Sequence, residues 1–150
     1  MSAGAFCNRE VVVAPATTDI VTIARLMRQH HVGDVVIVDD SDPERLIPRG
    51  IITDRDIVLE LVAGGVALDR VAAGDVMSHE LVTAHEEDSL WQTIQRMHAF
   101  GIRRMVVVNN AGGLEGILTL DDLIELLADE LSTLAKTLPH SRAREKSRRE

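Results

Sequence analysis

The chain has almost no aromatic residues: Phe6, Trp91 and Phe100 are the full set, and tyrosine is absent. Its core must therefore be built from Val, Ile, Leu, Met and Ala, which dominate the 45% of hydrophobic residues. Cysteine occurs once, at Cys7, which excludes an intrachain disulfide and suits a reducing compartment. Apolar runs are short. None approaches the ~18 residues of a membrane helix. The first residues lack the basic-then-apolar pattern of a signal peptide, so the expectation is a cytoplasmic protein with no membrane span. Positive charge is scarce over most of the length. The net charge is −8, yet residues 140–150 alone carry +3, through Arg142, Arg144, Lys146, Arg148 and Arg149 against Glu145 and Glu150. The remainder carries −11, which argues against nucleic acid as a partner except through the basic tail. No P-loop, dinucleotide fingerprint or nucleophile–base–acid set is present, so the sequence reads as a non-enzyme.

What is present is an internal repeat. At an offset of 70, Glu10, Val12, Ala14, Met27, Val36 and Val38 recur as Glu80, Val82, Ala84, Met97, Val106 and Val108. The offset then falls to 66, with Gly50, Ile51, Thr53, Asp56 and Leu61 repeated as Gly116, Ile117, Thr119, Asp122 and Leu127. The four extra residues sit near Ser41–Glu44, a turn-rich stretch where insertion costs little.

Each copy reads as strand, helix, strand, strand, helix. The first strands fall at Val11–Ala14 and Leu81–Ala84. Thr18 or Asp88 opens the helix that follows. Its apolar face is Ile20, Ile23, Ala24 and Met27, or Leu90, Ile94 and Met97. Val35–Val38 and Met105–Val108 suit strands buried on both faces. A turn leads to a third strand near Arg49–Thr53 or Leu114–Thr119, and a second helix covers Asp54–Val62 or Leu120–Leu134. A unit of ~60 residues buries too little surface alone, so the copies should pack sheet against sheet. The expected organisation is repeat one over 5–64, a linker over 65–77, repeat two over 75–134 and a basic flexible tail over 135–150.

The sharpest local motif is Gly, two apolar residues, Thr, two variable residues, Asp: Gly50–Asp56 and Gly116–Asp122. It falls at a strand-to-helix junction. A ligand there meets a hydroxyl, free backbone N–H groups and a carboxylate, a set suited to phosphate and to a ribose diol. The same spacing is also a capping box, which stabilises a helix with no ligand.

Two such motifs, each after an apolar strand, resemble a tandem cystathionine-β-synthase (CBS) domain pair, or Bateman module, over about residues 5–134. The resemblance implies an α/β fold of two β-α-β-β-α repeats packed sheet to sheet with pseudo-two-fold symmetry. It implies a regulatory module that senses AMP, ADP or ATP, with S-adenosylmethionine or NAD as further adenosine ligands and no required cofactor. It implies a homodimer that signals to an effector protein. It assigns ribose binding to Asp56 and Asp122, ribose or phosphate contact to Thr53 and Thr119, and base packing to Ile51 and Ile117. It also places phosphate-facing basic residues before the middle strand. Those positions are Arg103 and Arg104 in copy two, but Gly33 and Asp34 in copy one. Arg suits phosphate through paired hydrogen bonds, whereas Asp34 would repel it. The copy-two site is therefore expected to take the phosphorylated ligand.

Other features read as structural. His30-His31 lacks metal-pair spacing, the acids of the motifs suit a helix N-terminus, Cys7 has no base partner, and Trp91 falls in a first helical turn. The rival to ligand sensing is a ligand-free dimerisation scaffold whose Thr-x-x-Asp motifs only cap helices.

Overall fold

The computed structural model describes residues 1–78 and 80–149, so Glu150, the end of the expected tail, lies outside the described residues. The chain forms two compact units, Met1–Leu118 and Thr119–Glu150.

The first unit opens with a helical turn, α1 (Ala3–Phe6), then β1 (Val13–Pro15), α2 (Ile20–His30), β2 (Asp34–Asp39) and β3 (Ile47–Thr53). A short α3 (Asp54–Asp56) runs on as π-helical turns over Ile57–Val62. After a 3-10 turn at Leu68–Arg70, the order repeats: α4 (Ala73–Val76), β4 (Thr83–His85), α5 (Leu90–Phe100), β5 (Arg104–Val108) and β6 (Leu114–Thr119). Two three-stranded sheets result, ordered β1-β2-β3 and β4-β5-β6. β1 and β4 run parallel to the middle strands, while β2 and β3 pair antiparallel with Asp34 opposite Thr53 and Val36 opposite Ile51. The second unit is one helix, α6 (Leu120–Arg149). No helix among the described residues is long and apolar enough to cross a membrane.

The alternation of β2 explains its uniform apolarity. Successive side chains point to opposite faces. Val35 and Ile37 face Ile20, Ile23 and Met27 of α2, with Ile52, Ile57 and Leu61 closing that layer. Val36 and Val38 face the other sheet and pack with Val106 and Ile117. The sheet-to-sheet core is therefore aliphatic, as the composition requires.

Three local expectations need correction. The helix caps are Asp19 and Ser89, one residue after Thr18 and Asp88. Asp19 Oδ1 accepts from Thr22 N at 2.9 Å and Ser89 Oγ accepts from Gln92 N at 3.1 Å. Thr18 and Asp88 instead serve the preceding turns: Thr18 N donates to the Pro15 carbonyl at 3.1 Å and His85 N donates to Asp88 at 3.0 Å. On the helix faces, Ala24 is exposed, and Thr93 is fully buried where copy one has Ile23. Its hydroxyl donates to the Ser89 carbonyl at 3.0 Å, so its burial leaves no unpaired group. Finally, α6 does not end near Leu134. Residues 135–149 are rich in helix-favouring Ala, Lys, Arg and Glu, and Lys146, Arg148 and Arg149 complement the dipole of the last turn.

Candidate functional site

Thr53 ends β3 and caps α3. Its Oγ1 accepts from Asp56 N at 3.2 Å, and Asp56 Oδ2 accepts from Thr53 N at 2.9 Å, a complete capping box. In copy two, Asp122 N donates to Thr119 Oγ1 at 3.1 Å, and Asp122 is exposed. The motif thus performs its helix-capping role in both copies.

The motif glycines face the chain itself. Gly116 lies against Cys7 and Asn8, and Gly50 against Met77 and Ser78. Asn8 and Ile117 exchange backbone hydrogen bonds of 2.9 Å in both directions, and Ser78 N donates to the Ile51 carbonyl at 3.3 Å. The segment leading into each copy therefore crosses the third strand of the other. The turns α1 and α4 are exchanged in the same way. Gly4 N donates to the Glu86 carbonyl at 2.9 Å, and Gly74 N to the Ala16 carbonyl at 2.9 Å. Ala3-Gly4 and Ala73-Gly74 carry a sequence signal for this at the offset of 70, upstream of the first repeated residue, Glu10. Residues 73–76, expected as linker, are the copy-two counterpart of α1.

Beside this crossing in copy one, Asp56 lines a cleft of about 310 Å³ with Glu60, Leu61, Asp75, Val76 and Ser78. Its size falls in the usual range for small-molecule sites. Three carboxylates on its wall make it repel phosphate.

Arg104 sits elsewhere than expected from a residue serving its own copy. Its Nε donates to Asp34 Oδ2 at 2.8 Å. These positions are equivalent in the repeat, so the pair joins the copies across their pseudo-two-fold axis. A Cβ on Gly33 would lie 3.3 Å from an Arg104 guanidinium nitrogen and 3.2 Å from Asp54 Oδ2. The bare Gly33 leaves room for both groups. Burial raises the Asp34 carboxyl above its ordinary pKa; Arg104 opposes this rise and Asp54 adds to it. Arg103 is exposed. Ile117 is buried and Ile51 half-buried against the inter-sheet core.

The remaining sequence candidates have structural roles. His31 is the left-handed C-cap of α2 at φ 54°, matching Gly101 at φ 62° after α5. Burial pushes the Cys7 thiol up, away from thiolate reactivity. Among the described residues, no group of three or more His, Cys, Asp or Glu side chains could hold a metal ion.

The family model for the CBS domain matches residues 3–63 and 73–129. An uncharacterized protein of Methanopyrus kandleri is 37% identical over 126 residues, covering 84% of this chain and 62% of that protein. The chain thus spans less than two thirds of that relative. The CBS domain-containing protein YhcV of Bacillus subtilis is 37% identical over 111 residues, 74% of each chain. Among solved structures, a CBS domain protein of Pyrobaculum aerophilum complexed with AMP aligns with a TM-score of 0.75 at 28% identity, over 89% of this chain and 99% of that one. Hypoxic Response Protein I, solved with two coordinated zinc ions, aligns with a TM-score of 0.71 at 27% identity, over 83% and 98%.

Proposed function

Because the chain belongs to the CBS domain family, we propose that it is a regulatory module that binds adenosine-containing ligands where its two repeats cross. Adenine nucleotides (AMP, ADP or ATP) are the leading class, and the bound state is passed on through dimer or effector contacts in the cytoplasm. The carrying observation is Asp56. Its carboxylate caps α3 through one oxygen and lines the cleft formed with the crossing segment of copy two. A carboxylate so placed can accept from the two hydroxyls of a ribose. The AMP complex of the Pyrobaculum relative supports the same ligand class.

The two sites differ in charge. The copy-one cleft, with Asp56, Glu60 and Asp75 on its wall, suits an adenosine compound without phosphate, or a cationic one such as S-adenosylmethionine. Phosphorylated ligands are assigned to the copy-two motif, Thr119 and Asp122, whose repeat carries the exposed Arg103 before its middle strand, Arg104 being taken up by Asp34. The module binds and reports; catalysis is not part of the proposal. The complete box at Thr53 and Asp56 favours one rival, a scaffold whose motifs only cap helices.

Thermal-shift titration with AMP, ATP, NADH, adenosine and S-adenosylmethionine separates the two. A ligand at 100 times its Kd stabilises by about 2.7 kcal/mol. For a chain of this size the melting temperature then rises by roughly 5–11 °C. Asp122→Ala should remove the nucleotide response and spare the response to uncharged adenosine. Absence of a shift with every adenosine compound would establish the scaffold instead.

A further inference from the structure

Arg104 is held by a carboxylate of the other copy. Its Nε donates to Asp34 Oδ2 at 2.8 Å, and the two side chains are only 33% and 16% exposed. A second carboxylate shares the corner. Asp54 Oδ2 and an Arg104 guanidinium nitrogen both stand within 3.3 Å of the place a Gly33 Cβ would take. Every part of this corner differs between the copies. Gly33, Asp34 and Asp54 fall where copy two has Arg103, Arg104 and Leu120. Copy one therefore supplies two acids and a bare glycine, and copy two supplies the cation. The backbone around Asp34 is fixed. Asp34 is paired in β2 opposite Thr53, and Asp54 N donates to the Gly33 carbonyl at 3.0 Å. The carboxylate can leave Arg104 by side-chain rotation while the strand stays in place.

A carboxylate and a phosphate compete for the same donors, since each offers anionic oxygens to the planar guanidinium fork. We propose that Asp34 is a specificity-determining residue: an anion built into the chain, which occupies Arg104 and which the phosphate of a bound ligand must displace. This rests on the reading that adenosine compounds bind where the repeats cross. A phosphorylated ligand then forfeits part of its gain at Arg104, because breaking the ion pair strands a largely buried carboxylate beside Asp54. An adenosine compound without phosphate leaves the pair intact and forfeits nothing. Asp34 thus narrows the advantage of phosphorylated over unphosphorylated ligands. Its dependence on Arg104 is visible in its titration: burial pushes the carboxyl up, and Arg104 is the group that opposes the rise.

Calorimetric titration of the full chain with AMP and with adenosine tests this. Asp34→Asn keeps the shape of the side chain and removes its charge. It should tighten AMP at least ~10-fold, the size of one charge-assisted hydrogen bond, and leave the adenosine Kd within ~2-fold. In an Arg104→Gln background the same change should alter the AMP Kd by less than ~3-fold, because the gain belongs to Arg104. If Asp34→Asn does not melt cooperatively, Asp34→Ala replaces it, with the same expectations. An AMP Kd that Asp34→Asn leaves unchanged, in a protein that binds AMP or adenosine, overturns the role of Asp34 and leaves the ligand reading standing. Equal tightening of AMP and adenosine, or tightening of the same size without Arg104, also overturns it. Binding of neither compound, by wild type or variant, overturns the ligand reading for nucleotides and the role of Asp34 with it.

Discussion

Replacing Gly116 by alanine tests whether this motif position serves the crossing of the two copies or a ligand. A Cβ there would stand 2.5 Å from Cys7 Sγ and 2.6 Å from the Asn8 carbonyl oxygen. The thiol can rotate, but the carbonyl is backbone, so the segment at Cys7-Asn8 must lift from β6. Lifting it breaks the two 2.9 Å bonds between Asn8 and Ile117. Two backbone bonds contribute about 1 kcal/mol each, and overpacking costs about 1–3 kcal/mol more. The expected loss is therefore about 3–5 kcal/mol, or roughly 6–20 °C in the melting temperature for a chain of this length. Circular-dichroism melts of the ligand-free protein measure it directly. Gly50→Ala provides the internal comparison. Its Cβ would meet the Ser78 carbonyl at 2.7 Å, but only one longer bond, Ser78 N to Ile51 O at 3.3 Å, is at risk. The Gly50 variant should lose less than the Gly116 variant. A ligand-free Gly116→Ala protein that melts within ~2 °C of wild type, a difference below that of a single lost kcal/mol, would refute the crossing role and return the glycine to ligand approach.

Two further variants probe local features. Asp88 is held below the ordinary carboxylate range by the His85 N–H, and then by Arg96. Its contribution is present above the ordinary aspartate pKa of about 4 and is lost as pH falls through its depressed folded value. Asp88→Asn should cost about 1 kcal/mol at neutral pH, with the gap in urea midpoint closing under acid; a gap independent of pH would count against the charge. His31→Gly removes a left-handed non-glycine residue at the position where copy two carries Gly101, and should raise stability by about 1 kcal/mol in a thermal melt. A lower melting temperature would mean that the His31 ring contributes more than its backbone strain costs.

The repeated strands and helices were legible because periodicity and duplication are carried by many residues at once. The helix-capping arrangement of Thr53 and Asp56 was legible for a related reason: a cap joins residues three apart, so its geometry is written locally. Other features depended on how the copies meet. Asp34 and Arg104 were each read as facing a ligand in their own copy, yet they bond to one another, since equivalent positions near a two-fold axis lie close together. The turns α1 and α4 are four residues each, too short to show a period. The far end of α6 lies beyond Leu134, where the second-helix expectation stops, because the helix-favouring composition continues past the regular apolar pattern. For the candidate site, the acid of the cleft was legible at Asp56. Glu60 and Asp75 join it only through packing.

The exchange of leading segments also bears on what this chain can be cut into. Residues 1–64 alone would leave Gly50 uncovered and would extend α1 toward a partner that is missing. Two such fragments in one tube could satisfy each other by trading segments between molecules, as in a domain-swapped dimer. In the intact chain the linker turns that encounter into an intramolecular one with a high effective concentration. The tandem protein is thus the covalently closed form of a swap, and its two halves should melt in a single cooperative step rather than one after the other.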